Sequence, residues 1–328
     1  MTTPSITGHS ENDALPTGDM GSTKRLGDRV FSGLATGSGV LVVVLIAAVA
    51  AFLVAQAVPA LAKNQANFLT SREWSVSVGA LSFGIADLLW VTVISSIVAM
   101  VIAVPVAIGV ALFLTQYAPT RLARPFAALV DLLAAVPSIV YGIWGYFVLR
   151  DVAAPVQTFL ESSLGWIPLF RKQTVTGTIF LASVVLAIMI LPIITAISRE
   201  VFDQTPAAHK EAALALGATK WEMVRTAVLP FGRPGIISAA MLGLGRALGE
   251  TMVVAMVLSP AALITIVLTG SQNPSTIAGN IALNFPEAHG VGVNALIATG
   301  LILFVITLVI NSIARFVINR RKAFSGAN

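Results

Sequence analysis

Six long runs of apolar residues constrain this chain more than any other feature of its sequence. Each run is about 20 residues or longer, which is the length that a helix needs to cross the hydrocarbon core of a bilayer. The runs cover residues 38–58, 88–114, 126–149, 175–198, 234–258 and 293–317. Charged residues make up only 11% of the 328 residues, against about 25% in a typical soluble domain. The sequence therefore predicts an all-α polytopic membrane protein with six transmembrane helices.

The lysines and arginines predict the orientation of these helices. When the first segment is placed in the cytoplasm, most of the 20 Lys and Arg residues fall in cytoplasmic segments, as the positive-inside rule requires. We therefore expect both termini to be cytoplasmic. The expected organisation is a disordered polar tail over residues 1–37, a membrane domain over residues 38–318 and a basic tail over residues 319–328.

Several classes of functional site are disfavoured by residues that the chain lacks. It contains no cysteine, which rules out disulfides, thiolate metal sites and cysteine nucleophiles. His9, His209 and His289 lie far apart and form no metal-binding spacing, so we expect no metal site. No GxxxxGK[ST] loop for nucleotide phosphates occurs. The net charge of +5 reflects membrane orientation, and we expect no nucleic-acid partner.

One pair of charges interrupts the fifth apolar run. Arg246 and Glu250 are four residues apart, so a continuous helix would place them on one face and within reach of an ion pair. A charged side chain at the bilayer centre costs about 2.5 to 3.5 kcal/mol even on the lenient insertion scale. The pair is either a self-neutralising packing device or the lining of a polar pathway for an anion. Gly245 and Gly249 form a GxxxG pattern that predicts close helix packing.

The predicted cytoplasmic loop over residues 199–233 contains a second informative pattern. Thr205 and Pro206 are a helix N-cap followed by a proline at the first helical position, and Gly217 is a helix terminator. The short helix between them mixes charged and small apolar residues. Such a helix either docks into a groove on a partner or rests on lipid head groups.

Three stretches together resemble a known family. Glu211-Ala212-Ala213, three residues, Gly217, nine residues, and then Ala227-Val228-Leu229-Pro230 is similar to the EAA loop of ABC importer permeases, although that loop has Ile where this chain has Ala227. DLLAAVPSIVYGIWG, residues 131–145, and GRALGET, residues 245–251, resemble the C-type permease subunits of the Pst phosphate importers. The resemblance covers essentially all of the chain beyond the N-terminal tail.

This resemblance implies a type I ABC importer permease fold with a cytoplasmic coupling helix, in a bacterial cell membrane. It implies that the chain pairs with a paralogous permease and that a dimer of a separate cytoplasmic ATPase, which holds ATP and Mg, docks beneath the EAA loops. An extracytoplasmic binding protein would deliver phosphate. Arg246 and Glu250 occupy the positions of the family's charged pair for transport. The residues expected to couple the ATPase are Glu211, Ala212, Ala213, Gly217, Leu229 and Pro230.

Two other functions stay open from the sequence. One is a permease for another oxyanion such as sulfate or molybdate, because the EAA loop indicates the machinery and not its cargo. The other is a membrane-embedded enzyme that uses Asp131, Arg246 and Glu250. Asp131 falls close to the predicted start of the third helix, and we expect its side chain to reach the cytoplasmic surface.

Overall fold

Helices of membrane-spanning length dominate the part of the chain that the computed structural model describes, which is residues 26–77, 80–171, 177–258, 267–270 and 273–322. Within these residues, six helices are long and apolar enough to cross a membrane. They are Gly27–Lys63, Ala86–Tyr117, Ser138–Leu164, Ile179–Asp203, Lys220–Leu248 and Val291–Phe316. The predicted six-helix membrane architecture is confirmed.

The bounds of the elements follow in chain order. The first half contains α1 (Leu26–Lys63), β1 (Trp74–Ser77), β2 (Ala80–Phe83), α2 (Ala86–Leu112), α3 (Thr120–Ala134), α4 (Ser138–Trp144) and α5 (Arg150–Leu164). The second half contains α6 (Ile179–Asp203), α7 (Ala207–Ala215), α8 (Lys220–Met223), α9 (Leu229–Leu248), α10 (Met252–Val257), α11 (Ile277–Asn284) and α12 (Val291–Lys322). Single π-helical turns at Phe113–Tyr117, Gly145–Leu149 and Val224–Val228 follow α2, α4 and α8.

The chain divides into two units, Met1–Val49 and Ala50–Asn328. In the first unit, the described residues form the N-terminal part of α1. That helix begins at Leu26, within the stretch predicted to be a polar tail. Residues 1–25 of that tail and residues 323–328 of the predicted basic tail lie outside the described residues.

In the second unit, α6 is the central helix. Of its most apolar window, 67% is buried, whereas the corresponding fraction of α2, which packs against it, is 33%. Ala99, Ala103, Ala107 and Ala111 are all fully buried. Their spacing of four places them on one face of α2, and small side chains let two helix backbones approach closely. The core therefore forms where α2 and α9 pack on α6.

The third apolar run does not form one helix. It was predicted as a span over residues 126–149, but the structure ends α3 at Ala134 and begins α4 at Ser138. Pro137 lacks the N–H that a continuous helix requires and disfavours helical backbone at the residue before it. From Ser138 the chain then stays helical through a π turn to Leu164.

A small antiparallel hairpin, β1–β2, was not predicted. Trp74 pairs with Phe83 across it, and the two rings meet edge to face at 5.9 Å. Phe83 is fully buried and clusters with Ala60 and Ala295, which anchors the hairpin to the end of α1 and the start of α12. The hairpin lies at the end of the second unit opposite α7, and these two ends are called the hairpin end and the α7 end below.

Candidate functional site

The packing of α9 against α6 sets the position of Arg246. A Cβ atom placed on Gly243 would lie 2.7 Å from Cδ1 of Ile194, and one placed on Gly235 would collide with the side chain of Val201. Both glycines therefore permit the two backbones to approach. Arg246 follows one turn after Gly243 in the last turn of α9, and its side chain is half-buried.

The helix that carries Arg246 ends before Glu250. The last residue of α9 is Leu248, and the backbone at Gly249 and Glu250 is not helical before α10 begins at Met252. Glycine is a poor helix former, and the Glu250 carboxylate stabilises the new start: its Oε1 accepts hydrogen bonds from the N–H groups of Met252 at 3.1 Å and Val253 at 3.2 Å. These are two of the donors that a helix start leaves without partners.

The prediction that one continuous helix presents Arg246 and Glu250 on a single face is therefore wrong. Both residues are described, and no ion pair joins them within 4.0 Å. Glu250 is buried and bound to backbone N–H groups, so it leaves the guanidinium of Arg246 free of a carboxylate in this structure. A half-buried arginine without an anion is available to bind one.

Tyr141 was not predicted from the sequence to have a role. It lies in α4 and is buried, within the range of charge interaction with Arg246. Its hydroxyl donates a hydrogen bond of 2.8 Å to the carbonyl of Leu133 in α3. A tyrosine within the apolar run around VPSIVYGIWG was the available signal, because a phenolic hydroxyl inside a membrane domain needs a partner.

The GxxxG glycines do not pack as predicted within this chain. Among the described atoms, nothing outside the local backbone lies within 4 Å of a Cβ placed on Gly245, and Gly249 would meet only the carbonyl of Gly245 at 3.5 Å. Gly235 and Gly243 make the close approach to α6 instead. The face that carries Gly245 is therefore open to a second chain.

Asp131 forms an ion pair that the sequence did not predict. Nη2 of Arg199 donates to both carboxylate oxygens of Asp131, at 3.0 and 3.2 Å. This pair joins α3 to the last turns of α6, where the side chain of Arg199 is 21% exposed and that of Asp131 is 51% exposed. Nη1 of Arg199 is buried and has no hydrogen-bond partner among the described atoms.

The EAA pattern lies on a short exposed helix. None of the residues of α7 is buried, Glu211 and Ala212 are exposed, and Ala213 packs in part against the rest of the chain. The predicted terminator is confirmed. Gly217 has a φ of +83°, its N–H bonds to the carbonyl of Leu214, and the next N–H bonds to that of Ala213. These two backbone hydrogen bonds form a Schellman motif.

The predicted start of α7 was wrong by one residue. The N-cap is Pro206, and it makes no side-chain cap hydrogen bond. The hydroxyl of Thr205, which was expected to cap the helix, is buried without a partner among the described atoms. The turn between α6 and α7 is nevertheless shorter than expected, because α6 continues to Asp203, past its predicted end at residue 198.

A small apolar cluster attaches α7 and α8 to the membrane helices. Its fully buried members include Phe202 at the end of α6 and Val224 and Val228 after α8, and Ala213 and Leu229 pack against it. Thr219 and Glu222 form a capping box that fixes the start of α8. Pro230 lies at the start of α9 and is exposed. The EAA residues therefore form one folded segment.

The three residues of the enzyme alternative do not converge. Asp131 pairs with Arg199, and Glu250 binds the start of α10. Across the described ranges, no group of three or more His, Cys, Asp or Glu residues could hold a metal ion. Arg246 is a half-buried cation with no carboxylate within 4.0 Å among the described residues, which suits binding of an anion.

Comparison with known proteins agrees with this geometry. The family model "Binding-protein-dependent transport system inner membrane component" matches residues 103–323. The chain is 50% identical over 309 residues to "Phosphate transport system permease protein PstC 2" of Mycobacterium tuberculosis, covering 92% of this chain and 94% of that protein. It is 42% identical to the protein "Phosphate transport system permease protein PstC" of Mesorhizobium japonicum, covering 92% and 93%.

A solved structure shares the fold. It is the bacterial ABC transporter involved in the import of the acidic polysaccharide alginate, with a TM-score of 0.52, 17% identity, and coverage of 71% of this chain and 78% of that chain. At this identity the likeness concerns the fold alone. The chain belongs to the family of binding-protein-dependent transport system inner membrane components and is a permease subunit of an ABC importer.

Proposed function

We propose that this chain is a permease subunit of an ATP-driven phosphate importer and that Arg246 binds the ion during its passage. The observation that carries the proposal is a half-buried guanidinium in the last turn of a membrane-spanning helix, with no carboxylate within 4.0 Å among the described residues. An arginine offers an oxyanion two parallel hydrogen bonds in a fixed geometry, which a lysine does not. The phosphate permeases to which the chain is 50% identical support phosphate as the cargo.

Glu250 has a supporting role in this proposal. Because its carboxylate caps α10, it does not occupy the hydrogen-bond donors of Arg246. Movement of α10 relative to α9 would release the carboxylate and bring it into competition for those donors, which would free the ion. From the sequence, the two residues were expected on one helix face; in this structure the competition requires a movement of α10. Gly249 lies at the junction and permits such a movement because it tolerates a wide range of backbone angles.

The exposed surface of α7 is proposed as the contact for a separate ATPase dimer, which would bind ATP and Mg. It presents Leu214 at 47% and Leu216 at 90% exposure, and exposed apolar side chains on a short helix fit a groove on a partner. This assignment places the α7 end in the cytoplasm of a bacterial cell and the hairpin end outside, with both termini cytoplasmic. A paralogous permease would cover the open face at Gly245, and an extracytoplasmic phosphate-binding protein would meet the hairpin end.

The test is uptake of labelled phosphate and sulfate into vesicles that hold this chain with those partner subunits. Arg246→Gln is expected to lower phosphate uptake by about 10- to 100-fold, because a hydrogen bond to a charged group contributes about 1.5 to 3 kcal/mol. Arg150→Gln is the matched control, since Arg150 is also a partly buried arginine in a spanning helix but stacks on Tyr146 at 5.9 Å. Normal uptake with Arg246→Gln would refute the site.

Uptake of sulfate distinguishes a phosphate permease from a permease for another oxyanion. A guanidinium binds any tetrahedral oxyanion, so the geometry of Arg246 alone does not select phosphate. Uptake of sulfate in preference to phosphate by the wild-type complex would favour the other-oxyanion permease. Glu250→Gln, which keeps a carbonyl oxygen for the α10 N–H groups, is expected to reduce uptake without loss of the assembled complex.

A further inference from the structure

A cavity of about 200 Å³ opens at the hairpin end of the molecule. It forms where β1, the end of α11, the turn that follows α11 and the start of α12 come together, and it is called the hairpin-end cavity below. Its lining residues are Trp74, Val76, Asn284, Glu287, Ala288, His289, Gly292 and Leu296. Cavities for drug-sized ligands measure about 300 to 1,000 Å³, so this one suits a group of the size of a single side chain.

Contacts within the chain fix the apolar walls of the cavity. The ring of Trp74 meets the buried ring of Phe83 edge to face at 5.9 Å, and the two residues also pair across the hairpin. Gly292, in the first turn of α12, has no side chain. A Cβ placed on it would lie 3.5 Å from Cγ1 of Val76 and 3.8 Å from Cβ of Ala288. The glycine therefore keeps the space between these lining residues open.

The polar groups of the cavity are mainly acceptors of hydrogen bonds. Glu287 is exposed, and its carboxylate makes no ion pair or hydrogen bond with any described residue. Nδ2 of Asn284 donates to the carbonyl and to Oδ1 of Asn280, so Oδ1 of Asn284 is the atom of that amide available to a ligand. None of the lining residues is a lysine or an arginine, and Arg72 at the same end pairs with Asp87 at 3.9 Å. The cavity therefore has an uncompensated negative charge.

A carboxylate that shares a cavity with an indole ring favours a cationic ligand. A guanidinium or ammonium group is attracted to the face of a tryptophan ring and forms charge-assisted hydrogen bonds with a carboxylate. The amide oxygen of Asn284 can accept a further hydrogen bond from the same group. An anion such as phosphate would be repelled by Glu287. The hairpin-end cavity is thus a site for a cation and not a part of the path of the transported ion.

The surroundings of the cavity favour a cation that belongs to a protein. Residues 288–290 have non-helical backbone, and irregular backbone is not exposed to the hydrocarbon region of a bilayer. Phe285 lies in the same turn as Glu287 and is 53% exposed. When a partner protein covers both residues, the apolar ring excludes water from the charged contact and thereby strengthens it.

We propose that the hairpin-end cavity receives a lysine or arginine side chain of the extracytoplasmic phosphate-binding protein and that Glu287 is the residue that pairs with it. A charged contact of this kind selects the partner and fixes its orientation on the membrane domain. The inference rests on the proposed function, which places the hairpin end outside the cell membrane. It goes further by assigning the contact residue and the charge of the group that the partner contributes.

The experiment measures the Kd of labelled, phosphate-loaded binding protein for the complete complex in nanodiscs. Glu287→Gln is expected to raise this Kd by about 10-fold or more, because a charged residue at the centre of a contact contributes at least that factor. Ala288→Leu fills part of the cavity and retains the carboxylate, and it is also expected to raise the Kd. In vesicles, phosphate uptake lost by either variant at a low concentration of binding protein should be recovered at a high one.

Glu73→Gln is the matched control. Glu73 is an exposed glutamate beside Trp74 at the same end of the molecule, but it does not line the cavity and its carboxylate accepts a hydrogen bond from the hydroxyl of Ser82. Its replacement should leave the Kd at the wild-type value. A charge exchange identifies the partner residue: among single Lys→Glu and Arg→Glu variants of the binding protein, one should bind Glu287→Arg more tightly than the wild-type binding protein does.

The outcomes separate this inference from the function on which it rests. A wild-type complex that takes up no phosphate contradicts the proposed function, whereas the Kd of the binding protein tests the inference by itself. A wild-type Kd for both Glu287→Gln and Ala288→Leu overturns the inference and leaves the proposed function intact. If phosphatidylethanolamine raises the Tm of the wild-type complex and not that of Glu287→Gln, while the Kd is unchanged, the cavity holds a lipid amine and the inference is wrong. A higher Kd for both variants and an unchanged Kd for Glu73→Gln supports it.

Discussion

At the scale of single residues, Gly217 and Glu250 both act on the backbone at a helix end rather than on other side chains. Gly217 ends α7 with a φ of +83°, a region that is costly for a residue with a Cβ atom. Glu250 satisfies two N–H groups at the start of α10. Gly217 permits the turn that ends α7, and Glu250 stabilises the first turn of α10.

Replacement of Gly217 tests the first of these. Nothing lies within 4 Å of a Cβ built on Gly217, so Gly217→Ala adds backbone strain of about 1 to 2 kcal/mol and no clash. We expect faster hydrogen exchange at the amides of α7, measured by mass spectrometry. Gly217→Asn should show a smaller change, because asparagine tolerates this region. Equal exchange in all three proteins would contradict the assignment of the Schellman motif.

Replacement of Glu250 separates its capping role from its charge. Glu250→Ala leaves the N–H groups of Met252 and Val253 without their acceptor, and loss of such a cap costs about 0.5 to 2 kcal/mol. We therefore expect a lower Tm for Glu250→Ala in detergent, measured by a thermal shift assay. Glu250→Gln keeps the acceptor oxygen and should have a Tm nearer to that of the wild type. A Tm of Glu250→Gln as low as that of Glu250→Ala would show that the charge, not the acceptor oxygen, stabilises this junction.

At the scale of elements, the helices were predictable from the sequence and their breaks were not. A transmembrane run is apolar throughout, so its composition indicates length. Proline and glycine within it mark possible interruptions, but Pro105 and Pro192 lie inside α2 and α6, which continue past them. The breaks at Pro137 and at Gly249 depend on how the flanking helices pack. Arg246 was identified from its place in an apolar run, because a charge there requires a reason. Its relation to Glu250 was wrong because it assumed that α9 continued past Leu248.

The pairing of α6 with α9 gives a prediction at this scale. Gly243→Ala would place a Cβ 2.7 Å from Ile194, and overpacking of this kind costs about 1 to 3 kcal/mol. We expect a lower Tm for Gly243→Ala and for Gly235→Ala, measured on the purified chain in detergent.

Gly245→Ala is the matched control for this packing. It lies on the same helix, but nothing is within 4 Å of its Cβ, so the Tm of the purified chain should not fall and can rise, because alanine is the better helix former. A Tm for Gly245→Ala as low as that for Gly243→Ala would contradict the packing described here. If a paralogous permease covers this face, the assembled complex should lose stability with Gly245→Ala although the isolated chain does not.

At the scale of the whole molecule, one surface has the properties of an assembly contact. Leu216 is 90% exposed beside the fixed turn at Gly217, and no residue of α7 is buried. Contacts between residues distant in sequence, such as Arg199 with Asp131 across 68 positions, could not be predicted from one sequence, because charge complementarity alone does not select a partner. The surface of α7 could be predicted, because its residues are contiguous in the chain.

A charge on this surface should affect assembly and not folding. We expect Leu216→Asp to abolish co-purification of the ATPase subunit, because a carboxylate would be buried without a partner at the contact. The Tm of the isolated chain should not change. Leu283→Asp is the control, since Leu283 is 45% exposed in α11 near the hairpin end. Retention of the ATPase by Leu216→Asp at wild-type yield would show that this leucine is outside the contact.

The exposed face of α7 also has a genetic consequence. A residue that packs within its own chain, such as Gly235 against Val201, can be compensated only by a second change in the same gene. The exposed residues Glu211 and Ala212 of α7 are not buried within the chain, so suppressors of their replacement should arise in a different gene. Suppressor mutations that map to another gene would thus indicate that this surface contacts another protein.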